Sequence, residues 1–311
     1  MKTSAPDAKR RKAAVVPRQR GLVVAAYGRR YRIELPDGLL LDCVTRGKTR
    51  DVACGDRVLI GATGPGQGVI EETEPRSSLF YRSDPYRQKF FAANVTQIIV
   101  VIAPVPSVHR ELLDRCLVAA EHEGIAALIA LNKQDLPGHG AASAALADYR
   151  ALGYRVVSLS AKQDVSVLRA FLQGHVSVLV GQSGMGKSTI VNRLVPDAAA
   201  RVGALSEALD AGRHTTTHAE LYHLEPGADV IDSPGMQEFG LNHIEPRDIA
   251  AGYVEFRPLL GLCRFRDCLH LQEPGCEITA ACAAGRVRGQ RVESYRRLVD
   301  ERLKQAKLTA Y

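Results

Sequence analysis

The 311-residue chain is 46% hydrophobic and 24% charged, with seven cysteines and a formal net charge of +7. That is the composition of folded, water-exposed domains, and the length suits two or three of them. No run of eighteen apolar residues occurs, and the basic N-terminal stretch reaches Pro17-Arg18-Gln19-Arg20 before an apolar signal core begins, which argues against a membrane-spanning or exported chain and for a cytoplasmic one without membrane contact.

The charge is concentrated at the two ends. Residues 1–20 hold seven Lys or Arg against one Asp, residues 286–307 hold eight against three acidic residues, and the remainder is net acidic. Residues 1–18 therefore read as a basic disordered tail, which suits contact with a polyanion as well as simple solvation; KRRK at 9–12 is weak evidence of a nuclear address.

Residues 19–76 predict a small β-barrel. Five short strands, GLVVAA, RRYRIEL, LLLDCVT, DRVLI and QGVIEE, are separated by turns that include Pro36-Asp37-Gly38 and the glycine-rich GATGPGQG. An oligonucleotide-binding (OB) fold fits this spacing, and an SH3-like barrel fits nearly as well. Within residues 77–242 the pattern changes from residue 98 to apolar strands alternating with helices predicted over 110–123, 141–152 and 164–173, the βαβ signature of a parallel sheet. Residues 196–218 have no period and many small residues, and read as a mobile loop. Residues 243–311 hold a Cys/His cluster and a helix predicted from about 289, with Val292, Tyr295, Val299 and Leu303 inward and Arg291, Arg296, Arg297, Arg302 and Lys304 on a basic outer face.

The chemistry-bearing motifs fall at the ends of the predicted strands. Gly181-Gln182-Ser183-Gly184-Met185-Gly186-Lys187-Ser188-Thr189 follows an apolar strand and opens a helix, the context of a phosphate loop. Its backbone N–H groups would wrap phosphates, Lys187 would reach the β- and γ-phosphates, and the Ser188 hydroxyl would ligate Mg²⁺. Asp232-Ser233-Pro234-Gly235 ends the strand DVID, placing a carboxylate near Mg²⁺ and a Gly N–H near the γ-phosphate. Asn132, Lys133 and Asp135 form the base pocket, because a carboxylate accepts from guanine N1 and N2 whereas adenine lacks that donor pair; this favours GTP over ATP. Ser160-Ala161-Lys162 follows the strand RVVSL and resembles the SAK loop that contacts the guanine oxygen.

These motifs occur in the order NKQD, SAK, phosphate loop, RHTTTH, DSPG, which is the usual GTPase order cut once between DSPG and NKQD: a circular permutation. The position after Gly235, where Ras-like enzymes carry a water-orienting Gln, is Met236, with Gln237 one place late, so unassisted hydrolysis should be slow. His214 is the candidate for the missing function, and Thr217, or else Thr216, for the loop's Mg²⁺ ligand. Cys263, Cys268, His270 and Cys276 supply three thiols and an imidazole within fourteen residues, enough for one closed, structural Zn²⁺ site. Cys43, Cys54, Cys116 and Cys282 read as isolated small hydrophobes, with Cys282 a substitute ligand if the cluster is misread.

Barrel, permuted GTPase and Cys/His segment in that order resemble the RsgA (YjeQ) family of ribosome small-subunit-dependent GTPases. GRHTTT at 212–217, DVIDSPG at 229–235 and CRFRDCLHLQEPGC at 263–276 carry most of the likeness, which spans nearly the whole chain from residue 20. The resemblance implies a cytoplasmic bacterial factor that acts late in small-subunit assembly, binds ribosomal RNA and hydrolyses GTP to GDP when docked. A monomer is expected. Two other readings remain: a GTP-gated RNA-binding module in which hydrolysis is incidental, and a P-loop ATPase with a DNA-binding zinc finger, which would make NKQD and SAK coincidences. Since the chain runs from Gly235 through MQEFGLNHIEP straight into the zinc segment, the zinc module and C-terminal helix, more than the barrel, are expected to respond to the γ-phosphate.

Overall fold

The computed structural model describes residues 18–47, 51–84, 87–107, 109–195, 219–225, 227–232, 241 and 244–309. The basic tail up to residue 17, the loop 196–218 with His214, Thr216 and Thr217, and the segment with Gly235, Met236 and Gln237 lie outside the described residues.

The first five strands, β1 (Gln19–Tyr27), β2 (Arg30–Glu34), β3 (Leu40–Thr45), β4 (Arg57–Gly64) and β5 (Gln67–Thr73), close on themselves in the order β1-β2-β3-β5-β4-β1, with β3 parallel to β5 and the other pairs antiparallel. That closure is the OB topology, and it decides between the two barrels the strand pattern allowed. Inward positions alternate along each strand, so Val23, Ile33, Leu41, Val58, Ile60 and Ile70 fill the barrel from all five. The glycine-rich stretch after β4 is shorter as a turn than its composition suggested: β4 continues through Gly64, and the reversal falls at Gly66 with φ +68°. A hairpin that the pattern did not announce follows, β6 (Leu79–Asp84) with β7 (Arg87–Ala93).

The GTPase sheet adds β8 (Gln97–Ile102), β9 (Ala126–Leu131), β10 (Arg155–Ser158), β11 (Val176–Val180), β12 (Ala219–Glu225) and β13 (Ala228–Asp232) in the spatial order β10-β9-β8-β11-β13-β12. The first five of that order are parallel, and β12 closes the edge antiparallel to β13. Continuous apolar runs such as IIVVI in β8 are buried end to end because both faces of the sheet are covered. Helix α1 (Arg110–Glu123) packs on one face, its N-terminus capped by the His109 side chain and its C-terminus ended by Gly124 in the left-handed conformation. The predicted helix 141–152 is two short helices, α2 (His139–Ala144) and α3 (Ala147–Ala151), broken at the buried Leu146; the predicted helix 164–173 is a 3₁₀ turn followed by α4 (Arg169–Leu172). Helix α5 (Lys187–Leu194) directly follows the phosphate loop and buries Ile190, Val191 and Leu194 on the other face.

The barrel and this sheet are continuous. The first half of β1 pairs with β4 inside the barrel, and after a bulge between Val23 and Ala25 its second half pairs with β12, Ala25 opposite Glu220 and Ala26 opposite Ala219. Beside this junction His223 of β12 lies between two carboxylates, with Nε2 2.6 Å from Glu34 of β2 and Nδ1 2.6 Å from Asp229 of β13.

The C-terminal module is mostly helical. Two 3₁₀ turns, α6 (Glu277–Ala283) and the long α7 (Gly289–Thr309) pack Ile249, Tyr253, Phe256, Val292, Tyr295, Leu298 and Val299 into the same core as Leu113 and Leu117 of α1. The predicted basic outer face of α7 needs correction at Arg291, which is 4% exposed. Its guanidinium donates to Asp114 of α1 and, at 2.6 Å, to Glu255, and lies 4.4 Å from the Tyr253 ring centroid. A charge this deep is sustained because two carboxylates and an aromatic face compensate it. Arg302 donates to the Ile244 carbonyl, while Arg297 and Lys304 remain exposed and pair with Glu293 and Asp300 one turn back.

Candidate functional site

All the nucleotide motifs within the described residues gather at one edge, the carboxyl ends of the parallel strands. Asn132 follows β9, Ser160 lies just beyond β10, Gly181 follows β11 and Asp232 ends β13. The strand order reverses between β8 and β11, the usual place for a ligand in such a sheet.

Asn132 binds three loops together. Only 1% exposed, its Nδ2 donates to the Met185 carbonyl at 2.8 Å and its Oδ1 accepts from the Ala161 N–H at 2.9 Å. Gly186 must be glycine here: its φ is +97°, and a Cβ would stand 2.3 Å from the Asn132 amide nitrogen. Gly181 is similarly constrained, since a Cβ would stand 2.2 Å from the Val101 carbonyl oxygen. The Met185 side chain is buried in the core, so it offers the site only its backbone.

Asp135 stays at the surface, and its Oδ1 accepts from the Ser160 hydroxyl at 2.6 Å. That hydrogen bond is the main reason its pKa lies below the usual carboxylate value, with its own backbone N–H and the charges of Lys162 and Lys133 also contributing; the group is an ionised acceptor at neutral pH. Lys133 adopts φ +59°, and its ammonium donates to the Val105 carbonyl at 2.5 Å. Lys187 is curled over its own loop, donating to the carbonyls of Gly181 at 2.6 Å and Gln182 at 2.8 Å. Burial lowers its pKa and the Asp232 charge opposes that, while burial raises the Asp232 pKa and Lys187 opposes it. Ser188 and Thr189 are exposed on the first turn of α5. The arrangement fits a nucleotide: the glycine positions leave a cradle without side chains, a helix N-terminus faces it, and one carboxylate and one ammonium stand at its rim.

The second site is a cluster of Cys263, Cys268, His270 and Cys276, whose ligand atoms all lie within 4.8 Å of one another. His270 Nδ1 is 3.4 Å from Cys263 Sγ and 3.5 Å from Cys276 Sγ. Metal–ligand bonds of about 2.0 Å to nitrogen and 2.3 Å to sulfur put tetrahedral edges near 3.5 Å, so the donors are spaced to hold one ion. Glu273 holds the loop from beneath, accepting from the N–H groups of Leu269, Leu271 and Gln272, and the Tyr295 hydroxyl of α7 donates to the Leu269 carbonyl at 2.7 Å. Cys282 is not part of the cluster.

Sequence reasoning missed Arg291, Asp114 and Glu255 as an ion triad, and His223 as a tie between barrel and sheet. Asp114 carried a signal, an acidic residue amid Leu112, Leu113, Cys116 and Leu117 on the inward face of a helix.

A parallel sheet with a phosphate loop after β11, a guanine-type loop earlier in the chain and a preceding barrel defines a circularly permuted GTPase. The RsgA GTPase family matches residues 73–242, and the chain belongs to that family. A Nitrosomonas europaea protein named small ribosomal subunit biogenesis GTPase RsgA is 51% identical over 284 residues, 90% of each chain, and a Neisseria meningitidis protein of the same name is 48% identical over 279 residues, 90% of this chain and 91% of the other. Among solved structures, YjeQ from Thermotoga maritima superposes with a TM-score of 0.70 at 30% identity, covering 92% of this chain and 99% of the other. YloQ, described as a circularly permuted GTPase, gives 0.68 at 26% identity, covering 95% and 99%. The protein is an enzyme that hydrolyses GTP. No described helix is long and apolar enough to cross a membrane.

Proposed function

We propose that this GTPase is a monomeric cytoplasmic factor that acts late in maturation of the small ribosomal subunit, binds its rRNA, and uses subunit-stimulated GTP hydrolysis to time its release. The observation that carries the nucleotide half of this reading is Asn132, whose one side chain fixes the two base loops and the phosphate loop together. The ribosomal half rests on relatives up to 51% identical that bear the subunit-biogenesis name.

In this reading Asp135 accepts from guanine N1 and N2, and Ser160 keeps it aimed. The backbone from Gly181 to Thr189 receives the phosphates, and Lys187 exchanges its two carbonyl partners for β- and γ-phosphate oxygens. Ser188 and Asp232, with Thr217 from outside the described residues, would hold Mg²⁺, which supplies positive charge against the phosphates. The water-positioning role falls to His214, with Met236 unable to perform it, and Gly235 is assigned to the γ-phosphate. The ion of the Cys₃His cluster is Zn²⁺, in a closed structural role that brings folding free energy to residues 263–276.

The test is multiple-turnover phosphate release by the full chain with and without purified small subunits. Slow release alone and stimulation of about tenfold or more with subunits is expected, since Met236 stands where Ras-like enzymes carry the water-orienting Gln. Equal rates would remove timed release and leave a GTP-gated RNA-binding module in which hydrolysis is incidental.

A further inference from the structure

Arg193 stands in the last turn of α5, exposed, at the far end of the helix that begins with Lys187 and Ser188. Its Nη2 donates to two consecutive backbone carbonyls in the turn after β10, Lys162 at 3.0 Å and Gln163 at 2.8 Å. That turn is otherwise closed on itself. The Ser160 carbonyl accepts from the N–H groups of Gln163 and Asp164, and the Asp164 carboxylate accepts from the Ser166 N–H and hydroxyl. The Ala161 N–H is committed to Asn132. The Lys162 N–H has no backbone acceptor among the described residues.

We infer that Arg193 is a positioning residue for guanine selection: by clamping the Lys162 and Gln163 carbonyls to the phosphate helix it fixes the turn so that the Lys162 N–H is presented to the 6-oxygen of the base. This rests on the guanine-site reading above and extends it. Phosphate and base recognition are thereby joined through one rigid element, since α5 carries the phosphate-binding residues at its start and the base-loop clamp at its end. A charged donor on two carbonyls holds the loop more firmly than a neutral contact. An arginine near a helix C-terminus is also favoured by the helix dipole alone, and such a residue would have no effect specific to the base.

The experiment uses the full chain and two probes, GDP and the diphosphate of 2-aminopurine riboside, which keeps the 2-amino group and lacks both the 6-oxygen and the N1 proton. The loss at Asp135 is common to wild type and variant, so a change in preference between them reports on the 6-oxygen contact. In wild type GDP binds more tightly. In Arg193→Ala the preference for GDP over the 2-aminopurine nucleotide should shrink by about five- to tenfold, the scale of one charge-assisted clamp. KM for GTP should rise by a similar factor, with kcat at saturating GTP changing far less, and Arg193→Lys should recover part of the preference. Equal loss of affinity for both probes, or an unchanged preference in both variants, overturns the inference. Asp135→Asn is measured alongside with GDP and xanthosine diphosphate. If it fails to shift preference toward the xanthosine nucleotide, the guanine site itself is wrong and this inference falls with it; if it shifts and Arg193→Ala does not, only Arg193 is misassigned.

Discussion

The barrel and the C-terminal module grip the GTPase sheet by different means. The barrel shares main-chain pairing with it through β1 and β12, reinforced by the half-exposed His223 between Glu34 and Asp229. The C-terminal module contributes no strand to the sheet among the described residues; it rests on α1 through a common apolar core, the Arg291 triad, and ion pairs from Glu301 to Arg115 and Arg257 to Glu121. β12 begins directly after the segment that carries His214 and Thr217, and its partner β13 ends at Asp232, directly before the one that carries Gly235. The barrel is therefore bonded to the strand that follows His214 and Thr217 in sequence, and the C-terminal module is bonded to a helix on the sheet's face. The expectation that the zinc module is the responsive part turned on chain connectivity, and sheet connectivity points to the barrel instead.

The largest effect should come from breaking the module's grip. Arg291→Met leaves Asp114 and Glu255 buried without their cation and should cost about 3–5 kcal/mol, measured by urea unfolding, with the metal content of the Cys₃His cluster retained. A loss under about 1 kcal/mol would show that the apolar contacts alone hold α7. Next in size, hydrogen exchange compared between GTP-analogue and GDP complexes should change more in Gln19–Tyr27 and Ala219–Glu225 than in Gly289–Thr309. The reverse ranking would restore the lever through the linker.

His223→Ala should loosen the barrel side by a smaller amount. The His223 pKa is pushed up to about 9, first by its hydrogen bond to Asp229, with burial opposing and Glu34 adding. A raised folded-state value means the tie is fully present below the ordinary histidine pKa near 6.5 and is lost as pH rises through about 9. With the ring 48% exposed, solvent screening limits its worth to about 1 kcal/mol or less, seen as a wild-type advantage over His223→Ala at about pH 6 that disappears by about pH 10. No narrowing of that gap across the window would remove His223 from the junction. The smallest effect is expected from a flexible glycine insert within 238–246: because α1 holds the module, the GTP-over-GDP preference for subunits should persist. Its disappearance would mean that the covalent path dominates after all.

What could be read from sequence was local and chemically narrow. A phosphate loop, NKQD and three thiols with an imidazole each occupy a short stretch in which few residue types can do the chemistry, and the structure brings the described members of each together. The strand count of the barrel followed from alternation and turns, but its OB closure depended on the β3–β5 pairing, which alternation does not encode. Arg291 was misread because helical periodicity places a residue on a face without saying what that face meets, and its partner Asp114 is 177 positions away. The hairpin of β6 and β7 escaped notice because LFYRSD and RQKFFAA carry charge where a half-buried strand would alternate.

The bulge in β1 also bears on how the chain assembles. Ala25 and its partner Glu220 are roughly two hundred positions apart, so their pairing is among the slowest kinds of contact to form. As the chain is synthesised, the barrel strands are complete at Thr73, while the strand that will receive β1 ends only at Glu225. Through that interval the barrel carries an open edge with no partner from its own chain. Because the bulge confines that edge to Ala25 and Ala26, it is too short a template for a foreign strand, and the waiting barrel is protected from aggregation by the same kink that later steers it onto the sheet.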